Sequence, residues 1–458
     1  MKTKVSKFSF IPRALCYLSS FITLTIFFII LVNNSSHAEN RAQIKTNSSQ
    51  KIIKKYPIKT PIVASQEVKP IDDSMLSSAT LKQTTIPNPF QINQSGEIFL
   101  SKVPNFNLSS SANMIGLGTN GNTINYTFDP DLQKYVYNLV RQASAPHVAV
   151  VAMDPRTGKI LAISDKSATL KNAALHAGFP AASLFKIITT AAALENTKLQ
   201  PKSPIKFRGG TYELSKNNYN PNTKYDRRVM ALDEALGHSC NAVFARVALQ
   251  HLSANHLKTY ANHFGFNTNL QFDSALTTSN AYIPSSSYEL ARTAAGFGQV
   301  YISPVHAASL MSSVANGGIL LRPHMVDKAK SKHGSVIYEA RTKGLKRSVN
   351  TSTAKTLMHM LEKSVTSGTS RYAFYSRGRP TLPGIRAVGK TGTLKGKNPS
   401  GLNRWFIGAA PLENPQVVVA AITLNPRNTM ARPSYLAKQI FDQYLRKQKK
   451  ATTYRKIS

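Results

Sequence analysis

"FPAASLFKIITTAAALE", residues 179–195, is apolar and rich in alanine, a pattern that predicts a buried helix, yet Lys186 stands in its middle among Phe185, Ile187 and Ile188. Desolvating a lysine ammonium costs several kcal/mol unless a partner compensates or the proton leaves. Ser183 lies three residues upstream, a separation that brings both side chains to one helix face, a turn apart. It also falls in the first turn after Pro180, where free backbone N–H groups favour developing negative charge. A serine hydroxyl is a weak nucleophile until a base takes its proton, and a lysine can be that base only when neutral. Moving a lysine from about 10.4 to near 7 takes roughly 4–5 kcal/mol of differential interaction, which an apolar setting and a nearby cation both supply.

The S-x-x-K spacing alone carries little weight, because it also stands at Ser48–Lys51, Ser203–Lys206 and Ser352–Lys355. S-x-N is equally common, at Ser111–Asn113, Ser253–Asn255 and Ser348–Asn350. Order and context decide. "GHSCNAVFARVA" runs Ser239-Cys240-Asn241 into an Ala-rich helix, and "GKTGT" places Lys390-Thr391-Gly392-Thr393 on a late strand as the one K-T-G of the chain.

In this order the three motifs resemble the signature of the penicillin-binding D,D-transpeptidases and serine β-lactamases. "FDPDLQ", "VVAMDPRTGKILA", "GFGQVYISPVHAASLMSSVANGG", "VTSGTS" and "WFIGAAP" are also similar to stretches of the penicillin-binding transpeptidase domain, over about residues 123–446. The resemblance implies an α+β fold with a mainly antiparallel central sheet, flanking helices and a helical subdomain. It implies that Ser183 is acylated by a D-Ala–D-Ala stem peptide, or by a β-lactam. Lys186 would accept the serine proton, Ser239 would relay a proton to the leaving amine, and Asn241 would bind Lys186 and the substrate amide. Lys390, Thr391 and Thr393 would hold the substrate carboxylate, with the backbone amides of Ser183 and Thr393 as oxyanion hole. Gly392, lacking a side chain, is expected to let the strand lie close to a bound peptide. No cofactor and no metal are implied. The approach to the serine departs from the family's usual Pro-Gly-Ser, reading Pro180-Ala181-Ala182-Ser183.

Residues 1–13 carry Lys2, Lys4, Lys7 and Arg13 with no acid, and the run "ALCYLSSFITLTIFFIILV" follows at 14–32. As a helix it would span about 28 Å, near the roughly 30 Å of a bilayer core, with its basic flank cytoplasmic. The expected domains are a cytoplasmic start and signal anchor at 1–33, a low-complexity linker at 34–122 with a strand near "GEIFL", the transpeptidase domain at 123–446 and a basic tail at 447–458. Ser36 and Ala38 leave cleavage open, so the product is a single-pass inner-membrane protein with a periplasmic domain, or a secreted form of it. The segment before 123 is too short for a glycosyltransferase domain, which points to a monofunctional, class B-like enzyme.

The net charge of +37 suits either an anionic envelope polymer as partner or a generally basic surface. An exported location and the lack of any nucleic-acid-binding signature argue against nucleic acid. Gly116, Gly118 and Gly121 match a dinucleotide pattern without the strand and helix it needs. His238 reads as an ordinary helix-start residue, Cys240 as a small buried one, Trp405 as core and Arg404 as solvated. The alternatives are a D,D-carboxypeptidase or β-lactamase of the same fold, and a non-catalytic β-lactam sensor or wall-binding scaffold. No E-x-x-L-N loop follows Asn241, as class A β-lactamases would need, and the single apolar run does not suit a multi-span sensor.

Overall fold

The computed structural model describes residues 90–105, 115–117 and 121–457. The run at 14–32, the candidate cleavage residues Ser36 and Ala38, and most of the expected linker lie outside the described residues; among those described, no helix is long and apolar enough to cross a membrane.

A hairpin of β1 (Phe90–Ile92) and β2 (Ile98–Leu100) comes first. Its Phe90, Ile98 and Leu100 are buried in the main core, and Glu97 pairs with Arg322 and Lys343 at 2.9 Å each. The packed body therefore includes residues upstream of 123. Gly116 sits on a short strand followed by another antiparallel strand, which is not the setting of a dinucleotide loop.

Helix α1 (Pro130–Gln142) starts as its sequence dictates: Asp129 caps Leu132 N–H at 3.0 Å and Pro130 occupies the first turn. β3 (His147–Met153) and β4 (Ile160–Ser167) form the hairpin expected from Asp-Pro-Arg-Thr-Gly. A 3₁₀ turn over Ala182–Leu184 leads into α2 (Phe185–Asn196). Next come β5 (Pro204–Phe207) and β6 (Arg228–Ala231), which pair with each other, then α3 (Leu232–His238) and α4 (Asn241–His251). Helices α5 (Ser287–Ala294), α6 (Pro304–Ala315) and α7 (Thr351–Thr366) complete the middle. The chain closes with β7 (Val388–Lys397), β8 (Ser400–Ala410), β9 (Val417–Leu424) and the long helix α8 (Pro433–Ile457).

The central sheet is antiparallel throughout, in the order β7-β8-β9-β3-β4, so strands from both ends of the domain complete it. Both faces are covered, and β9 reads "VVVAAITL" with every residue buried. Alternation divides its side chains: Val417, Val419 and Ala421 pack with Leu436, Ile440 and Phe441 of α8, whereas Val418, Ala420 and Ile422 join the core around α2 and α6. The strand β7 is left at an edge.

Two features depart from expectation. Helix α8 runs on through the segment read as a basic tail, and Lys447 pairs with Asp129 at 3.1 Å and Asp131 at 2.7 Å. His238 ends α3 rather than starting a helix and lies 3.5 Å from Glu234.

Between β5 and β6 the chain makes a long excursion that ends over α4. Fully buried Arg246 of α4 fixes it, giving Asp226 two hydrogen bonds of 3.0 Å and also bonding the carbonyls of Asn218 and Tyr219. Arg208 adds a third bond to Asp226 at 3.0 Å. Burial pushes the Asp226 carboxyl up, but the bonds from Arg246, from the Asn222 amide and from Arg208 outweigh it and hold it below its usual range. Removing Arg246 leaves the Asn218 and Tyr219 carbonyls without this donor and Asp226 with only Arg208 and the Asn222 amide, and breaking a buried ion pair in this way costs about 3–5 kcal/mol. Arg246→Ala is therefore expected to lose about that much stability by urea unfolding, and a loss below about 1 kcal/mol would contradict this clamp.

Candidate active site

The nucleophile candidate is set by backbone packing before any side-chain chemistry begins. Phe179–Pro180 pairs with Val300–Ile302, Ala181 N–H donates to Val300 O at 2.9 Å, and the indole N–H of buried Trp405 donates to Pro180 O at 2.9 Å. Trp405 is thus core, as expected, and also a brace. Ala182 takes a left-handed φ of 51°, a conformation that costs a non-glycine residue about 1–2 kcal/mol. The turn at Ser183 is held against Gly296, whose φ is +94°; a Cβ there would stand 2.4 Å from Ala182 O and 2.9 Å from Ser183 N.

Lys186 is fully buried, and its Nζ lies 2.7 Å from Asn241 Oδ1, 2.5 Å from Ala295 O and 2.9 Å from Ser183 Oγ. Burial first, and the Lys390 charge second, push its amine well below the usual lysine value. A neutral amine has two N–H donors and one lone pair. Two of its three neighbours are carbonyl oxygens, which can only accept, so they take the two N–H groups and leave the lone pair for the Ser183 hydroxyl. The orientation of Asn241 is fixed from its other end, since Nδ2 donates to Tyr212 O at 2.7 Å.

The second motif arrives at a helix junction. Ser239 terminates α3 in the left-handed region (φ 59°), which frees its side chain from the helix and leaves Asn241 at the start of α4. Lys390 Nζ donates to Ser239 Oγ and to Thr391 O, each at 2.9 Å. Burial lowers the Lys390 amine to about 7. Cys240 is fully buried, and desolvation pushes its thiol up.

All three motifs meet at one cleft on the β7 edge, a cavity of about 540 Å³. Ser183, Ser239, Asn241, Thr391 and Thr393 line it, while Lys186 and Lys390 sit in its wall. A Cβ at Gly392 would lie 3.3 Å from Ala181 O, Ala182 Cβ and Trp405 Cβ, so the missing side chain admits the turn that precedes Ser183. Of the other S-x-x-K pairs, Ser352 and Lys355 are on α7, Ser203 precedes β5 and Lys206 lies within it, and Ser48–Lys51 falls outside the described residues.

Sequence reasoning gave no role to Thr369, whose hydroxyl is 2.5 Å from that of Thr391 and whose N–H donates to Gly237 O. The signal was its stretch "VTSGTS", quoted above without a role. Tyr212, Phe297, Tyr372 and Arg432 also line the cleft, as does Arg404, which was read as solvated.

A buried lysine within 2.9 Å of a serine, at the start of a helix that packs beside the edge strand of an antiparallel sheet, is an arrangement suited to a serine nucleophile with an amine base. The penicillin-binding protein transpeptidase domain matches residues 148–446, about two thirds of the chain. The chain belongs to this family and has its α+β fold. It is 28% identical over 352 residues to the peptidoglycan D,D-transpeptidase PbpA of Mycobacterium tuberculosis, covering 68% of this chain and 69% of that protein. The solved ceftriaxone acyl-enzyme complex of penicillin-binding protein A from M. tuberculosis superposes with a TM-score of 0.58 at 25% identity, over 70% of this chain and 79% of that one. The D,D-transpeptidase domain of a peptidoglycan glycosyltransferase from Eggerthella lenta shares the fold, with a TM-score of 0.61 at 24% identity over 78% and 95% of the two chains.

The packing of Gly296 on the nucleophile turn makes a direct test. Gly296→Ala is expected to slow acylation at least about a hundredfold, because a displacement near 1 Å at a reacting group costs that much. Gly334→Ala, also at positive φ (+85°) but with no atom within 4 Å of the new Cβ, provides the comparison for backbone strain alone. Equal acylation rates in the two variants would contradict the role given to Gly296.

Proposed function

We propose that the protein is a peptidoglycan D,D-transpeptidase that cross-links stem peptides through an acyl-enzyme on Ser183. The observation that carries this reading is the buried Lys186 Nζ, held by two carbonyl oxygens and 2.9 Å from Ser183 Oγ. Family membership and the acyl-enzyme complex of the M. tuberculosis relative support it.

Ser183 Oγ attacks the carbonyl carbon of the penultimate D-Ala while its proton passes to Lys186. The oxyanion develops against the backbone amides of Ser183 and Thr393, donors typically worth about 3–4 kcal/mol each in such chemistry. The C–N bond then breaks, with a proton delivered to the leaving D-Ala nitrogen through Ser239. Asn241 keeps Lys186 in place and binds the substrate amide. Lys390, with Thr391 and Thr393, holds the terminal carboxylate, whose arrival stabilises the charged form of Lys390. An amine from a second stem peptide attacks the ester, loses a proton, and releases Ser183. With a β-lactam the leaving nitrogen stays tethered in the opened ring, so the acyl-enzyme persists. The apolar run at 14–32 behind a basic start supports an anchor that holds this body outside the cytoplasmic membrane, and the +37 charge supports contact with anionic envelope polymers.

Intact-mass spectrometry after incubation with penicillin is expected to show one penicilloyl adduct, absent in Ser183→Ala. Lys186→Ala should slow its formation about a hundredfold to ten-thousandfold, the usual worth of a general base. An undiminished adduct in Ser183→Ala would refute the assignment.

A further inference from the structure

The cleft continues past Thr393 along a wall that the acylation chemistry does not use. Thr393 and Arg404 are direct cross-strand partners on β7 and β8, so their side chains share a face, and both line the cavity. Arg432, just before α8, also lines the cavity, with its guanidinium 5.3 Å from the centre of the Tyr372 ring. Tyr372 is fixed in turn: Tyr435 packs on it at 5.4 Å between ring centres and donates its hydroxyl to Tyr372 O at 3.0 Å. Stacking on an aromatic face holds a guanidinium in position without neutralising it, and leaves its N–H edge free for a planar anion.

Nothing in the described part of the protein balances these charges. No Asp or Glu lines the cavity, and among the described residues neither Arg404 nor Arg432 has a carboxylate partner. The segments that build this wall, 387–412 and 425–432, contain Lys390, Lys395, Lys397, Arg404, Arg427 and Arg432 and no acidic residue. Thr393, Lys395 and Lys397 alternate along β7 and are all exposed, extending the basic track beyond the cleft on the Thr393 face. One terminal carboxylate is already served by Lys390 and two threonine hydroxyls. Two further cations lining the same cavity are surplus to it.

We infer that Arg404 and Arg432 form a second anion subsite that selects a peptide substrate carrying an additional free carboxylate on an internal residue, over the same peptide with that group amidated. The inference rests on the transpeptidase reading. The carboxylate could belong to the peptide that acylates Ser183 or to the amine peptide that resolves it, and the two sources are separable. The lack of any lining acid is also a device of selection, since no carboxylate in the cavity compensates a cation placed beside the arginines, and an amide gains less from them than a carboxylate does.

The test uses the full chain with synthetic pentapeptide donors ending in D-Ala–D-Ala, identical except for a free carboxylate or a carboxamide on the third residue. A matched acid and amide pair of amine acceptors forms the second arm. The wild type is expected to prefer the acid form about five- to tenfold in kcat/KM in one arm, the arm that shows it identifying the source. Arg404→Gln and Arg432→Gln should each shrink that ratio, and the double variant should bring it to about one. Arg432 lies outside the sheet, so its single variant keeps the test valid if Arg404→Gln fails to fold. Arg427→Ala, an exposed cation of the same segment that does not line the cavity, should keep the ratio.

Three results would overturn the inference. The first is equal rates for acid and amide forms in both arms while penicillin still acylates Ser183. The second is loss of penicillin acylation in Arg432→Gln by the same factor as the acid peptide, which would assign the arginines to the terminal carboxylate. The third, no acylation from any peptide or from penicillin, would overturn the transpeptidase reading and this inference together.

Discussion

The site depends on one constraint: an amine with no access to water and only two acceptors besides the serine. An ammonium at Lys186 would have to give up its hydration shell, with Lys390 raising the cost further. As a neutral amine it is satisfied, because Asn241 Oδ1 and Ala295 O take its protons and Ser183 supplies the third contact. Much of the surrounding structure serves to keep that count fixed. The Arg246–Asp226 clamp holds the excursion whose Tyr212 carbonyl orients Asn241, and the turn after α5 presents Ala295 O and, one residue later, the glycine on which the serine turn rests.

The sheet edge is the second requirement. A strand inside a sheet has both sides hydrogen-bonded, whereas β7 pairs only with β8 and leaves one side open along the cleft. Its alternation sends Lys390 inward to Ser239 and places Thr391 and Thr393 on the cavity. Gly392 and Trp405 face each other across the β7–β8 ladder, and both press on the segment that precedes Ser183. The third motif is therefore also a structural support for the first.

Much of this could be read in the chain. The lysine in an apolar helix, the hairpin at 147–165, the cap at Asp129 and the late strands were all local patterns, and local patterns survive in a linear string. What escaped depends on long-range contact. Thr369 matters because α7 ends beside α3 and β7, and Arg432 because α8 begins opposite β8, neither of which any spacing reveals. The departure at Ala182 was visible, but its left-handed φ and the complementary glycine 114 positions later were not. Gly392 was singled out for its missing side chain, but the string did not show that the turn before Ser183 packs there. Of the hairpin at 90–100 the strand near "GEIFL" was legible, whereas its partner Phe90–Ile92 hid in polar composition because Phe90 is its one buried side chain.

The central claim is a protonation state, and it is measurable directly. Selective ¹³Cε or ¹⁵Nζ labelling of lysine, with Lys186→Arg to assign the signal, would follow this amine through a pH titration by NMR. The account predicts that Lys186 is neutral at pH 7, with a midpoint well below the usual lysine value, and that Lys390→Ala raises this midpoint by removing a like charge. A Lys186 that titrates near 10.5, unmoved by loss of Lys390, would mean that it is an ammonium at rest and cannot take the Ser183 proton.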